Sequence, residues 1–199
     1  MKRAALFVDK DGTLVDNVPY NVDPALLRLR PGAADALRTL QDAGFALVLV
    51  TNQSGIARGL FNAAQLASLC DELRALLRQE GGVELTAVMH CPHEPGNHGQ
   101  PQCLCRKPRP GMLIEAGRRH RIDLSASWMV GDTLDDVEAG HRAGCRSLLY
   151  DSGGETVWRR SPLRWPDKQV TEWGSVVQYI LAECQVRRAR TASIPAGRR

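Results

Sequence analysis

The chain has no apolar run approaching the roughly 20 residues that cross a bilayer as a helix, so no membrane-spanning helix is expected. A secretory leader is not expected either. The apolar stretch 4–8 stops at Asp9, short of the roughly 7–15 residues of a signal-peptide core. A cytoplasmic protein is expected. No internal repeat is present, which removes solenoid and array architectures. The last sixteen residues, 184–199, contain no acid and five arginines: Arg187, Arg188, Arg190, Arg198 and Arg199. Outside them, 21 basic residues face 22 acidic ones, so the net charge of +4 belongs to the tail. Such a tail is expected to be disordered and solvated, and no nucleic-acid partner is expected from it. Residues 1–183 have the length of one domain with a real core.

Within those residues, apolar segments of two kinds alternate. The run 6–8 ends in acids and predicts a first strand. Residues 31–43 open on Pro31 and close before Gly44, a helix signature. The unbroken apolar run 45–50 suits a strand covered on both faces, as in a parallel sheet. Leu66, Leu69, Leu73, Leu76 and Leu77 form one stripe at helical spacing, ended by Gly81-Gly82. Further strands are predicted at 87–89, 128–130 and 147–150, and further helices at 112–121, 134–143 and 174–184. This alternation predicts an α/β fold, a doubly wound parallel sheet with helices on both faces. Trp158, Trp165 and Trp173 lie in a stretch with little pattern. They are expected to pack over a sheet edge as large apolar groups.

Polar chemistry gathers at predicted strand ends. Asp9 and Asp11 follow the first strand, Thr51-Asn52-Gln53-Ser54 the second, and Asp132, Asp135 and Asp136 the strand at 128–130. In a parallel sheet, ligands bind beyond the carboxyl ends of the strands. Carboxylates that converge there repel one another unless a cation lies among them, and hard oxygen ligands favour Mg²⁺ with a phosphate. A carboxylate can also serve as a nucleophile.

Six cysteines occur, at 70, 91, 103, 105, 145 and 184. Three crowd into a loop at about 90–110 that is rich in Pro, Gly and His. Cys91-Pro92-His93 and Cys103-Leu104-Cys105 offer four ligands in two like-spaced pairs, with nine residues between. Three thiolates and an imidazole suit a closed tetrahedral Zn²⁺ site. Its binding would order a loop too poor in apolar residues to order itself. His90 and His98 could stand in for His93, which is favoured because its pairing mirrors Cys103 and Cys105.

Phe7-Val8-Asp9-Lys10-Asp11-Gly12-Thr13 resembles the first motif of the haloacid dehalogenase phosphatases. Thr51, Lys107 and Gly131-Asp132-Thr133-Leu134-Asp135-Asp136 resemble the other three motifs, in family order. The resemblance implies that Asp9 is the nucleophile and that Asp11 is the acid/base, which needs a raised pKa to hold a proton. It also implies that Mg²⁺ is held by Asp9, the backbone carbonyl of Asp11 and Asp132, with Asp136 behind them. Lys107 and Thr51 would hold the phosphoryl group.

The cysteine loop with Arg106-Lys107-Pro108, and the run 51–59, are similar to the D-glycero-D-manno-heptose 1,7-bisphosphate 7-phosphatases. The related histidinol-phosphate phosphatases share most of these residues. Both are essentially capless, with a structural zinc. This implies substrate contacts from Arg106, Asn52, Gln53, Ser54 and the segment Asn17 to Tyr20. Thr133 departs from the Lys or Arg that these families carry. Removal of the 7-phosphate from the heptose bisphosphate is the leading expectation, with histidinol phosphate or another small phosphate ester as the enzymatic alternative. A phospho-acceptor domain and a zinc-loop interaction module are the alternatives outside catalysis. The only partner expected is a small phosphorylated molecule, bound by a monomer.

Overall fold

The computed structural model describes residues 2–96, 102–159 and 161–192. Six strands form one sheet: β1 (Ala5–Val8), β2 (Ala46–Asn52), β3 (Ala87–Cys91), β4 (Trp128–Gly131), β5 (Arg146–Tyr150) and β6 (Lys168–Val170). Their spatial order is β3-β2-β1-β4-β5-β6, and every pairing is parallel. Five helices connect or flank them: α1 (Ala33–Asp42), α2 (Ala63–Gly81), α3 (Gly111–Arg119), α4 (Leu134–Ala143) and α5 (Trp173–Ala192). The order reverses between β1 and β4, and such a switch point opens a crevice beyond the strand ends. Between β1 and α1 the only helical turn is a short 3-10 segment, Pro24–Leu26. No cap domain is inserted there.

Strand residues alternate between two cores. Leu6, Val8, Leu47, Leu49, Trp128 and Val130 join Leu37, Leu69, Leu73, Val176 and Ile180 on the face of α1, α2 and α5. Ala5, Phe7, Val48, Val50 and Met129 join Met112, Leu113, Ala116 and Ala139 on the face of α3 and α4. Burial on both faces explains why these strands read as unbroken apolar runs. Helix starts follow from capping. Asn62 and Gln65 exchange side-chain and backbone hydrogen bonds, each 2.9 Å, at the start of α2. Asp136 accepts from both Thr133 N, at 3.1 Å, and Thr133 Oγ1, at 2.6 Å, at the start of α4.

Three elements differ from expectation. β6 carries one buried residue, Val170, so no period-2 signal marks it. The last helix continues through Ala192, past the expected boundary at 184. Arg187 Nη1 donates to Ser125 O at 2.9 Å within that extension. Residues 193–199, the rest of the expected tail, lie outside the described residues. Of the three tryptophans, only Trp173 is a core group, fully buried with its Nε1 donating to Thr13 O at 3.2 Å. Trp158 and Trp165 flank the approach to β6 and stay 43% and 60% exposed. The segment 161–167 is tied to α4 instead by polar contacts. Arg164 pairs with Asp135 and Glu138, and His141 Nε2 lies 3.0 Å from Asp167 Oδ2.

Trp173 joins α5 to the turn after β1. Its replacement by Ala should cost about 3–5 kcal/mol, the usual range for emptying a buried Trp site. Chemical denaturation measures this; a loss below about 1 kcal/mol would contradict the packing described.

Candidate active site

The site starts from the way β1 ends. Asp9 N donates to Val130 O at 2.9 Å, which sets the first acid beside the end of β4. The chain then turns tightly. Leu14 N and Val15 N both donate to Lys10 O at 3.0 Å, and Gly12 N donates to Val15 O at 2.9 Å. Gly12 has φ +82°, and a Cβ there would lie 2.2 Å from Asp132 Oδ2. Only glycine meets both conditions. A Cβ at Gly154 would lie 2.1 Å from the same oxygen. Backbone thus approaches Asp132 from two directions, and Ser152 Oγ donates to its Oδ2 at 3.4 Å.

Asp9, Asp132 and Asp136 are all buried and offer carboxylate oxygens within 4.8 Å of one another. Lys107, 3% exposed, places its ammonium among them. Nζ pairs with Asp9 Oδ1 and lies 2.5 Å from Asp136 Oδ1, and it donates to Val50 O at 3.0 Å. One cation against three acids leaves the cluster short of positive charge. The carboxyls respond accordingly. Burial pushes Asp9 well above the usual carboxylate range, and Asp136, Asp132 and Asp11 add to the push while Lys107 opposes it. Burial, then Asp136, raises Asp132 to about 7. For Lys107, burial favours the neutral amine, but Asp136 and Asp9 outweigh it and raise its pKa. Hard oxygens with excess negative charge are the donor set of Mg²⁺.

Asp136 lies in this carboxylate group, against Lys107. The Asp11 side chain is held elsewhere. Its Oδ1 is 2.7 Å from Lys10 Nζ, and its Oδ2 accepts from Gln53 Nε2 at 3.1 Å. Gln53 Nε2 also donates to Thr51 Oγ1 at 2.9 Å, so β1 and β2 meet at this point. Asp11, Asn17, Tyr20, Asn52, Gln53 and Ser54 line one open cavity of about 250 Å³. All the pocket residues expected from sequence come together there except Arg106, whose guanidinium donates to His93 O at 3.0 Å. Thr133, the departure from the Lys or Arg of the similar families, donates its hydroxyl to Asp136.

Lys10 went unrecognised in the sequence as a site residue. It is 1% exposed and paired with Asp11. Its place between two acids was the available signal, since a lysine is buried only with a partner. Arg58 was assigned no role from sequence, although it lies in the run 51–59 that carries the resemblance.

The cysteine loop brings its four expected ligands together. Cys105 Sγ lies 3.2 Å from Cys91 Sγ, 3.5 Å from Cys103 Sγ and 3.3 Å from His93 Nδ1. Cys91 Sγ is 3.6 Å from Cys103 Sγ and 3.4 Å from His93 Nδ1. A tetrahedron with metal–sulfur bonds of about 2.3 Å has edges of roughly 3.7 Å, so the four could hold a metal ion after a small expansion. None of the cysteines is in a disulfide. Burial raises Cys91, whereas Cys103 is lowered because the Arg106 N–H and the neighbouring thiols outweigh its burial. His90 is the fourth residue of β3 and not part of this group; His98 lies outside the described residues. Two residues after Cys105, the Lys107 backbone is gripped from both sides. Its N–H donates to Asn52 Oδ1 at 3.1 Å, and its carbonyl accepts from Asn52 Nδ2 at 3.2 Å.

A HAD-hydrolase-like family model matches residues 104–172. The chain is 46% identical over 179 residues to the D-glycero-beta-D-manno-heptose-1,7-bisphosphate 7-phosphatase of Mesorhizobium japonicum, covering 88% of this chain and 82% of that one. The Bordetella bronchiseptica protein of the same name is 39% identical over 180 residues, 89% of this chain and 98% of its own. The crystal structure of a D,D-heptose 1,7-bisphosphate phosphatase from B. bronchiseptica, complexed with magnesium and phosphate, aligns with a TM-score of 0.77 at 33% identity. That alignment covers 92% of this chain and 99% of the other. Identity at this level, over most of both chains and on one shared sheet, makes the chain a member of the D-glycero-beta-D-manno-heptose-1,7-bisphosphate 7-phosphatase family of HAD-like phosphatases.

Proposed function

We propose that this chain hydrolyses the 7-phosphate of D-glycero-D-manno-heptose 1,7-bisphosphate through an aspartyl-phosphate on Asp9. The observation that carries the reading is a juxtaposition. Asp9 sits in the three-carboxylate cluster with Lys107, and Asp11, two residues on, lines the adjoining cavity. Asp9 and Asp132, with the Asp11 carbonyl, would hold Mg²⁺, which supplies charge to the transferring phosphoryl oxygens when bound. Asp136 keeps Lys107 charged and aimed at Asp9. Lys107 and Thr51 receive the phosphoryl oxygens. Asp9 Oδ attacks phosphorus in line with the ester oxygen, and Asp11 gives that oxygen a proton as it leaves. Asp11 then takes a proton from the water that opens the aspartyl-phosphate, which returns Asp9. Gln53, bonded to both Asp11 and Thr51, fixes the acid against the phosphoryl site. Asn17, Tyr20, Asn52, Gln53 and Ser54 contact the sugar. Cys91, His93, Cys103 and Cys105 would hold a structural Zn²⁺ that shapes the loop carrying Arg106 and Lys107. The unit is a cytoplasmic monomer whose catalytic part is residues 1–183. No helix among the described residues is long and apolar enough to cross a membrane.

A phosphate-release panel with Mg²⁺ tests the substrate; a preference for histidinol phosphate over the heptose bisphosphate would overturn it. Asp11→Asn should lower kcat by about 10²–10⁴, the usual worth of a general acid/base, and wild-type turnover in that variant would remove the role. Removal of metal has a signed pH dependence. The folded Asp132 pKa of about 7 lies above the ordinary 3.8, so between them the folded metal-free chain holds more protons than the unfolded one. Its stability therefore falls as pH rises through that window. Mg²⁺ binds the charged cluster, so its addition should raise Tm more near about pH 8 than near about pH 5. An equal rise at both would contradict the proposed ligands. For the loop, elemental analysis should find roughly one zinc per chain. Cys103→Ser should lower zinc content and Tm together, and full zinc in that variant would strike Cys103 from the ligands.

A further inference from the structure

Among the described residues that line the cavity beside Asp11 there is no cation, and Asp11 is the one charged group. A bisphosphorylated substrate brings a second dianion that needs one. Thr133 supplies no charge, and Arg106 is turned onto the His93 carbonyl. Arg58 is the guanidinium that reaches the cavity wall. Its Nη1 donates to Tyr20 OH at 2.5 Å, and its Cζ lies 5.6 Å from the centre of the Tyr20 ring. Its Nε lies 3.3 Å from Glu94 Oε1, one residue beyond His93 in the cysteine loop. A guanidinium has five N–H donors in a planar fork.

Two features mark this as more than a surface ion pair. Tyr20 holds φ +55°, a left-handed conformation that costs a bulky residue free energy and persists only where its surroundings enforce it. Arg58 contacts both its ring and its hydroxyl. The Arg58–Glu94 pair is also exchangeable. Both side chains are about half exposed, at 41% and 54%, where an ion pair contributes little. A phosphate dianion presents more charge and more acceptor oxygens than one carboxylate.

We propose that Arg58 is a specificity-determining residue, which leaves Glu94 to bind the non-reacting phosphate of a bisphosphorylated substrate while Tyr20 holds its guanidinium over the cavity. This rests on the phosphatase reading given above. Glu94 then serves as the parking site of the free enzyme and competes with the substrate for the same cation.

The test is the ratio of kcat/KM for the 1,7-bisphosphate to that for the 7-monophosphate, measured for wild type, Arg58→Ala, Arg58→Lys and Glu94→Gln. Arg58→Ala should lower the ratio at least tenfold, chiefly through KM of the bisphosphate. Arg58→Lys should restore only part of it, because a lysine keeps the charge and loses the fork. Glu94→Gln should raise the ratio by removing the competitor. A merely structural role for Arg58 would slow both substrates alike and leave the ratio unchanged, which would overturn the inference. Wild type with no preference for the bisphosphate would overturn the parent reading and this inference together. A wild-type preference that survives Arg58→Ala would overturn this inference alone.

Discussion

A buried ammonium held between buried carboxylates organises this protein. Lys107, Asp9 and Asp136 come from different parts of the chain and are all removed from water. Loss of one partner from such a group strands the others without solvent, a penalty of about 3–5 kcal/mol in comparable cases. The geometry is therefore enforced. It also remains incomplete, because among the described residues Asp132 joins the same cluster without a second cation. The positive charge missing there is the charge that a bound metal ion would bring.

Lys107 is also held through its backbone. Asn52 bonds both its N–H and its carbonyl, which couples the end of β2 to the cysteine loop. Gln53 N donates to Cys91 O at 2.8 Å and makes the same connection one strand further out. Gly111 N donates to Leu104 O at 3.0 Å and ties the loop to the start of α3. The described part of the loop is thus tied to the sheet and to α3, and Cys91, His93, Cys103 and Cys105 face one another. The cysteine cluster and the buried ammonium are close in the chain: Cys105 and Lys107 are two residues apart.

The fold accommodates this by keeping bulk out. Gly12 and Gly154 leave room for Asp132, and Gly131 does so for Asp136, whose Cβ a side chain at 131 would approach to 2.3 Å. The cavity beside Asp11 is open because the insertion after β1 is short. Its wall depends on Tyr20, itself braced by Arg58. Substrate selection in such a site falls to residues at the rim, since no separate domain closes over it.

The strands with an apolar period or run, and the helices with a leucine stripe, were legible locally, because burial on one or two faces writes itself into spacing. The first motif, the Thr51 run and the two cysteine pairs were legible for the same reason: their members are close in the chain. β6 was not, having one buried side chain, nor was the full length of α5. Sequence determined that acids would end β1 and β4, and it marked Cys91, His93, Cys103 and Cys105 as a group, which the structure brings together. Only tertiary structure decided that Asp136 would stand beside Asp9 across Lys107, that Lys10 would be buried against Asp11, and that Arg58 would lean on Tyr20. Those contacts join residues up to 98 positions apart or turn a side chain inward or outward. Such choices are made by strand order and by the cost of burying charge without a partner, and neither leaves a local pattern to read.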